Sequence, residues 1–285
     1  MGSELDGAAG VDAPARSRRG IAGWAARRPL LAFVVLAYVI SWVLWAPTLF
    51  GIGGFVLQAA GAFGPAAAAV LVTHWSESSV RTWFRSLLRW RVPVRFYLYA
   101  LGLPVVLFGS MNLVLAGLGE RVHLDRLPDA AVSWLATFVV VALVGGGQEE
   151  PGWRGFALDR FQARHSPLVA TLLLGLVWGL WHLPLYGLGF VGPMLFVVFY
   201  TWLYNRTESV LLCVLLHGAF SPSLDHLLLV DDNLVVDLVI LGTLLLAAAL
   251  LVALTRGRLG FDHRPGGRGP SRVPTEAQGE EPRQR

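Results

Sequence analysis

Lysine is absent from the chain, and cysteine occurs once, at Cys213. A single cysteine rules out an intrachain disulfide and any zinc site built on paired cysteines. Its apolar neighbours mark it as a small buried packing residue. Charge is scarce too, at 15% of 285 residues, where soluble domains carry roughly a quarter. So few charges cannot coat a water-soluble globule of this length. All 23 basic residues are arginine, and they lie between the apolar runs and in the terminal segments. That scatter excludes a nucleic-acid reader, which gathers its basic residues on one face. The zinc-protease pattern HExxH, a glycine-rich phosphate loop with lysine, and a strand-turn-helix nucleophile elbow are all missing.

What the chain has in quantity is apolar sequence: 55% hydrophobic residues and a mean hydropathy of +0.57. A bilayer span needs about 20 apolar residues. Runs at 29–50, 54–74, 96–118, 131–150, 167–187, 189–204, 208–229 and 233–255 predict an all-α, polytopic membrane helix bundle of eight spans. The first run starts near Leu30 and is too long for a signal-peptide core. Residues 1–28 and 256–285 are polar and read as disordered tails around one transmembrane domain, 29–255, with its core at 131–229. Arginine sets the orientation. Arg16, Arg18 and Arg19 precede the first span, Arg81 to Arg95 follow the second, and Arg154, Arg160 and Arg164 follow the fourth. Arg206, Arg256 and Arg258 continue the alternation, while Asp231 and Asp232 lie on the opposite side. Both termini are therefore expected in the cytoplasm. The 76–92 segment alternates arginine with Trp, Phe and Leu and reads as an interfacial anchor helix. Asn205-Arg206-Thr207 matches a glycosylation sequon only by chance on this topology.

Ionisable groups inside spans are costly and mark function by default. Glu149 and Glu150 end the fourth run, and Arg154 stands one helical turn after Glu150, where it can pair with it. Glu149 points about 100° away on the helix and is free for chemistry. His182 lies deep in the fifth run, one turn after Trp178, and His217 lies in the seventh, one turn before Ser221. Asp225 reads as solvated. If the chain turns near Arg164–His165, then Glu149 and His182 both lie about 25 Å from that turn along antiparallel helices. The amphipathic 154–164 piece is expected to protrude into the cytoplasm by about 10 Å, which leaves that pair about 15 Å deep, and His217 falls about 15 Å beyond the 205–208 turn. Three such groups at one depth predict one site, with Gly145, Gly146, Gly147, Gly175 and Gly179 allowing close helix approach. A carboxylate and two imidazoles suit water activation with oxyanion binding. Equally, Glu149, His182 and His217 suit three zinc ligands with water in the fourth place.

The segments Glu149-Glu150-Pro-Gly-Trp-Arg154, Trp178-Gly-Leu-Trp-His182 and His217-Gly-Ala-Phe-Ser221 stand in that order within about 75 residues. They resemble the three signatures EExxxR, aromatic-xxxH and HxxxN of the CAAX-processing and bacteriocin-processing intramembrane peptidases. The resemblance implies a helical core from the fourth to the seventh span, water activation by Glu149 with His182, and oxyanion binding by His217. Glu150 and Arg154 would hold the frame. It also carries the family's disputed metalloprotease label, so zinc stays an open cofactor. Ser221 departs from the pattern: its hydroxyl is shorter than the asparagine amide and offers one donor instead of two. Pro222, directly after it, is expected to kink the helix. The expected function is an intramembrane endopeptidase acting near the cytoplasmic leaflet on a membrane-associated protein or peptide, in a bacterial plasma membrane. The alternative is an immunity or scaffold protein that keeps the fold without turnover.

Overall fold

The computed structural model describes residues 20–76 and 78–263, and they form an all-helical bundle. The tail readings for 1–19 and 264–285, with Arg16, Arg18 and Arg19, lie outside the described residues, as does Glu77. In chain order the helices are α1 (Ile21–Arg27), α2 (Pro29–Trp45), α3 (Gly54–Ala62), α4 (Gly64–Trp75), α5 (Val80–Leu87), α6 (Val94–Gly117) and α7 (Leu127–Val140). Short turns α8 (Glu150–Gly152) and α9 (Asp159–Gln162) follow, then α10 (Pro167–Trp181), α11 (Leu183–Tyr186), α12 (Val191–Thr207), α13 (Val210–His226) and α14 (Leu234–Leu254).

Six helical stretches are long and apolar enough to cross a bilayer: Pro29–Phe50, Gly54–Trp75, Val94–Gly117, Leu124–Gln162, Leu183–Thr207 and Leu234–Leu254. The two shorter apolar helices are α10 and α13. Their outward faces are apolar: Leu98, Val106, Leu113 and Leu246 are all more than half exposed. Continuous apolar surface of this kind has lipid as its natural solvent. The protein is thus an integral membrane bundle.

Local chemistry sets the helix starts. Pro29 and Pro167 occupy first-turn positions, where a missing N–H costs nothing. Side-chain oxygens of Ser166, Ser209 and Asn233 accept from first-turn amides of α10, α13 and α14. Pro184 stops α10, which leaves His182 at the corner between α10 and α11.

An aromatic nucleus ties the first spans to the middle ones. Phe33, Trp45, Trp153, Phe156 and Trp181 are fully buried. Trp45 packs on Trp181 at 4.5 Å between ring centroids, and Phe33 on Trp153 at 5.3 Å. Polar links run between the same helices: Tyr38 donates to the Val177 carbonyl at 2.6 Å and Trp42 to that of Trp181 at 2.9 Å. In lipid, such packing and interhelical hydrogen bonds take over the role that water exclusion plays in soluble cores.

Two expectations need amendment. Within the stretch read as tail, Ile21–Arg27 is helical and buries Gly23 and Ala25. The anchor segment is helical only over Val80–Leu87. Beyond it, Arg89 is drawn to the turn after α12: its carbonyl accepts from Ser209 and its side chain pairs with Glu208 at 2.7 Å. The fourth span stays helical beyond Glu150 to Gln162, in line with a turn near Arg164–His165, and has a break at Gly146. α13 runs through Pro222 to His226. Cys213 is buried, and Asn205 is fully buried, donating to the Leu259 carbonyl at 3.0 Å.

Candidate active site

The fourth span changes its winding twice around the two glutamates. After α7 the chain makes a wide π-helical turn at Val141–Gly145, breaks at Gly146, tightens into a 3-10 turn at Gly147–Glu149, and widens again at Trp153–Leu158. Such irregular turns recur at functional sites. Here they aim adjacent side chains at two different neighbours. Close approach is required at Gly152, where a Cβ would stand 2.5 Å from the Pro65 carbonyl oxygen, and at Gly146, where it would stand 2.5 Å from His217 Nε2. Any side chain at either position would push a wall of the site away.

Glu149 is buried, and its Oε2 accepts from the Trp178 indole N–H at 2.8 Å. His182 Nε2 stands 3.8 Å from the same oxygen. The other ring nitrogen, Nδ1, lies 2.9 Å from the Trp178 carbonyl oxygen. A carbonyl only accepts, so Nδ1 carries the proton and the Nε2 lone pair of the neutral ring faces Glu149. Trp178 therefore orients both groups, one through its indole and the other through its backbone. Tyr186 stacks on the His182 ring at 5.0 Å and 10°.

Glu150 is fully buried and faces the other way. Arg154 Nη1 reaches its two oxygens at 3.0 and 2.9 Å, and His217 Nδ1 reaches Oε1 at 2.8 Å. The Arg154 guanidinium, also fully buried, lies between the rings of Trp178 and Tyr200, 4.2 Å from each. Cation–π contact on both faces stands in for much of the water it has lost.

The hairpin of α9 and α10 thus brings Glu149 and His182 to one level, and α13 brings His217 to Trp178, 5.8 Å away between rings. They do not gather as one three-way cluster. The imidazoles are shared out, His182 to Glu149 and His217 to Glu150. Among the described residues no group of three His, Cys, Asp or Glu side chains has metal-holding geometry. Glu149, His182 and His217 do not fit a zinc ion in this arrangement. Ser221 is half-buried and makes no hydrogen bond among the described residues, while Asp225 is exposed.

A cavity of about 120 Å³ adjoins the first pair, lined by Trp45, Phe55, Gln58, Glu149, His182 and Tyr186 among others. Phe55 and Tyr186 are each 56% exposed and mark its mouth. Both flank the uncharged connections at 51–53 and 187–190, at the end of the bundle away from the arginine-bearing turns. Sequence reasoning passed over Gln58 and Tyr186, because it weighed only ionisable groups inside the spans. The missed signal is that Gln58 is the single polar side chain between Thr48 and Thr73.

A membrane-embedded helix bundle with buried Glu149–His182 and Glu150–His217 pairs is consistent with a glutamate- and histidine-dependent intramembrane protease site. Residues 131–221 match the family described as Rce1-like, type II CAAX prenyl endopeptidase Rce1-like. It is also similar to CAAX prenyl protease 2 of Methanococcus maripaludis, 32% identical over 124 residues. That match covers 36% of this chain and 44% of the relative, so the chain spans less than half the length of the curated protein it matches.

Proposed function

We propose that the protein is an intramembrane endopeptidase that hydrolyses a peptide bond with water activated by Glu149 and His182. The observation that carries this reading is the 3.8 Å gap between Glu149 Oε2 and His182 Nε2, beside a cavity. The gap is too long for a hydrogen bond and fits one water bridging two acceptors. A water there donates one proton to the carboxylate and one to the imidazole lone pair, and its own lone pairs face the cavity. As its oxygen bonds to the scissile carbonyl carbon, Glu149 takes the proton as general base. The C–N bond then breaks, and that proton passes to the leaving amine. His217 is the proposed oxyanion donor through Nε2, beside the side-chain-free Gly146. For that it must carry a second proton, with Glu150 as counter-ion. Glu150 and Arg154 hold this frame from behind, and Ser221 stands at the position of the family's amide.

Around this site we propose eight spans, with α10 and α13 also crossing, both termini in the cytoplasm, and a core at 131–229. The arginine distribution supports that orientation. The substrate is a membrane-associated protein or peptide, and an arginine-only basic repertoire supports a bacterial plasma membrane as the setting. The relative's name joins it to CAAX prenyl substrates; bacterial membranes call for a different protein substrate. The test is a fluorogenic peptide library incubated with the detergent-purified protein and its Glu149→Gln variant, each with and without chelator. Cleavage that vanishes in the variant and survives chelation supports the reading. One observation favours the scaffold alternative: Ser221, in place of asparagine, makes no hydrogen bond among the described residues. A cellular phenotype unchanged by Glu149→Gln would establish that alternative.

A further inference from the structure

The family pattern supplies an oxyanion donor from an amide four residues after His217, and this chain has a hydroxyl there. The cavity beside Glu149 offers a replacement. Its polar lining consists of Trp45, Gln58, Glu149, His182 and Tyr186. Three of these have no donor to spare. The Trp45 indole N–H is committed to the Gln58 carbonyl at 2.9 Å, and His182 Nδ1–H to the Trp178 carbonyl at 2.9 Å. Glu149 as carboxylate only accepts. What remains is the Gln58 side-chain amide, with two N–H donors, and the Tyr186 hydroxyl, with one. Neither side chain makes a hydrogen bond among the described residues, and both are exposed at the cavity's edge.

Both are also held in place. Gln58 sits on α3, whose backbone is pinned to α2 through Trp45 at its own carbonyl and through the bond from Ser41 to the Gly61 carbonyl at 2.7 Å. Tyr186 is fixed by its parallel stack on the His182 ring. Uncommitted donors on a fixed backbone, lining the cavity beside Glu149, are what oxyanion stabilisation draws on.

We propose that Gln58 supplies the amide donor that position 221 lacks, with the Tyr186 hydroxyl beside it, so that the oxyanion formed at Glu149 is bound from α3 and α11. This rests on the hydrolase reading above. It accounts for a lone glutamine in an otherwise apolar span, and for the retention of a usable site without the asparagine. The step involves no proton transfer: the two groups donate hydrogen bonds to the carbonyl oxygen as it becomes O⁻, and release it when the C–N bond breaks.

The test uses the best-cleaved library peptide and the full-length protein in detergent. Gln58→Ala and the near-isosteric Gln58→Glu, which removes the N–H donors, should each lower kcat by about 10²- to 10³-fold with KM little changed. Tyr186→Phe keeps the ring stack and deletes only the hydroxyl, and should lower kcat by about tenfold. Adding Ser221→Asn to Gln58→Ala should recover part of the lost kcat. Thermal unfolding of each variant excludes misfolding as the cause, and Gln58→Glu carries the test if Gln58→Ala does not fold. The proposal is overturned if folded Gln58 variants cleave at the wild-type rate while Glu149→Gln is inactive. If Glu149→Gln itself cleaves normally, it is the hydrolase reading that fails.

Discussion

Two adjacent glutamates in the fourth span each meet a histidine that packs on Trp178, yet the two pairs differ in how closely they touch. Glu150 and His217 touch at 2.8 Å, with Arg154 closing the carboxylate from the third side. Glu149 and His182 stop at 3.8 Å, with a cavity beside them. The closed pair resembles a buried structural ion network, in which removing one partner strands the others. The open pair leaves a water-sized gap, which no purely structural contact needs. Contact therefore marks the frame, and separation marks the place for chemistry.

Breaking the open pair should give the largest change in activity. Glu149→Gln keeps an oxygen for the Trp178 indole but removes the base, so cleavage should fall by about 10²- to 10⁴-fold while thermal unfolding stays near wild type. The closed pair should respond the other way round. Arg154→Ala leaves Glu150 buried without its cation and opens the space between Trp178 and Tyr200. It should cost about 3–5 kcal/mol of stability, read as a lowered unfolding temperature in detergent. If Arg154→Ala unfolds like wild type while activity alone falls, the frame assignment is wrong.

A subtler change sharpens the contrast inside the open pair. Trp178→Phe deletes the hydrogen bond to Glu149 and keeps the carbonyl that holds His182. Losing one such bond, at about 1.4 kcal/mol, corresponds to about a tenfold drop in kcat. An equal loss of stability and activity would mean that the indole is mainly packing. The smallest effect belongs to an exposed counterpart of the closed pair. Asp231, in the connection before α14, accepts from Arg126 at 2.9 Å and stands 3.3 Å from His123. The hydrogen bond from Arg126, and then that of His123, holds its carboxyl below the usual carboxylate range. A depressed folded-state value stabilises the clasp above the ordinary carboxylate range, and that stabilisation is lost as pH falls through the depressed value. Full exposure to solvent keeps it small. Acid should therefore loosen 119–126 from 229–233, read as faster amide exchange after correction for intrinsic rates, and Asp231→Asn should abolish that pH dependence.

Much of this was legible in the sequence, for reasons that can be named. Helical rise alone put Glu149 and His182 level, because a turn at 163–166 folds two continuous helical stretches of similar length onto each other. Spacing of four residues likewise foresaw the Glu150–Arg154 pair. The division of the histidines was not legible, because it depends on the change of winding at Gly146, which helical periodicity does not register. The Trp178 indole bond and the lining of the cavity by Gln58 and Tyr186 were hidden for a different reason. They depend on which faces of α3, α10 and α11 meet, and a neutral amide among alanines carries no charge to flag it. The anchor helix came out short because Ser209 and Glu208, more than a hundred residues away, capture Arg89.

The π-helical stretches at Val141–Gly145 and Trp153–Leu158 carry a further implication. Each wide turn accommodates one residue beyond what an α-helical turn would hold. Successive residues on a helix differ in bearing by about 100°. Excising a single residue from Val141–Gly145 would be absorbed by tightening that turn to α-helical winding, whereas excising one from the regular winding of α7 would swing everything after it by that angle and give Glu150 roughly the bearing that Glu149 now has. Backbone length before Gly146, as much as side-chain identity, decides which of two neighbouring acids meets the water.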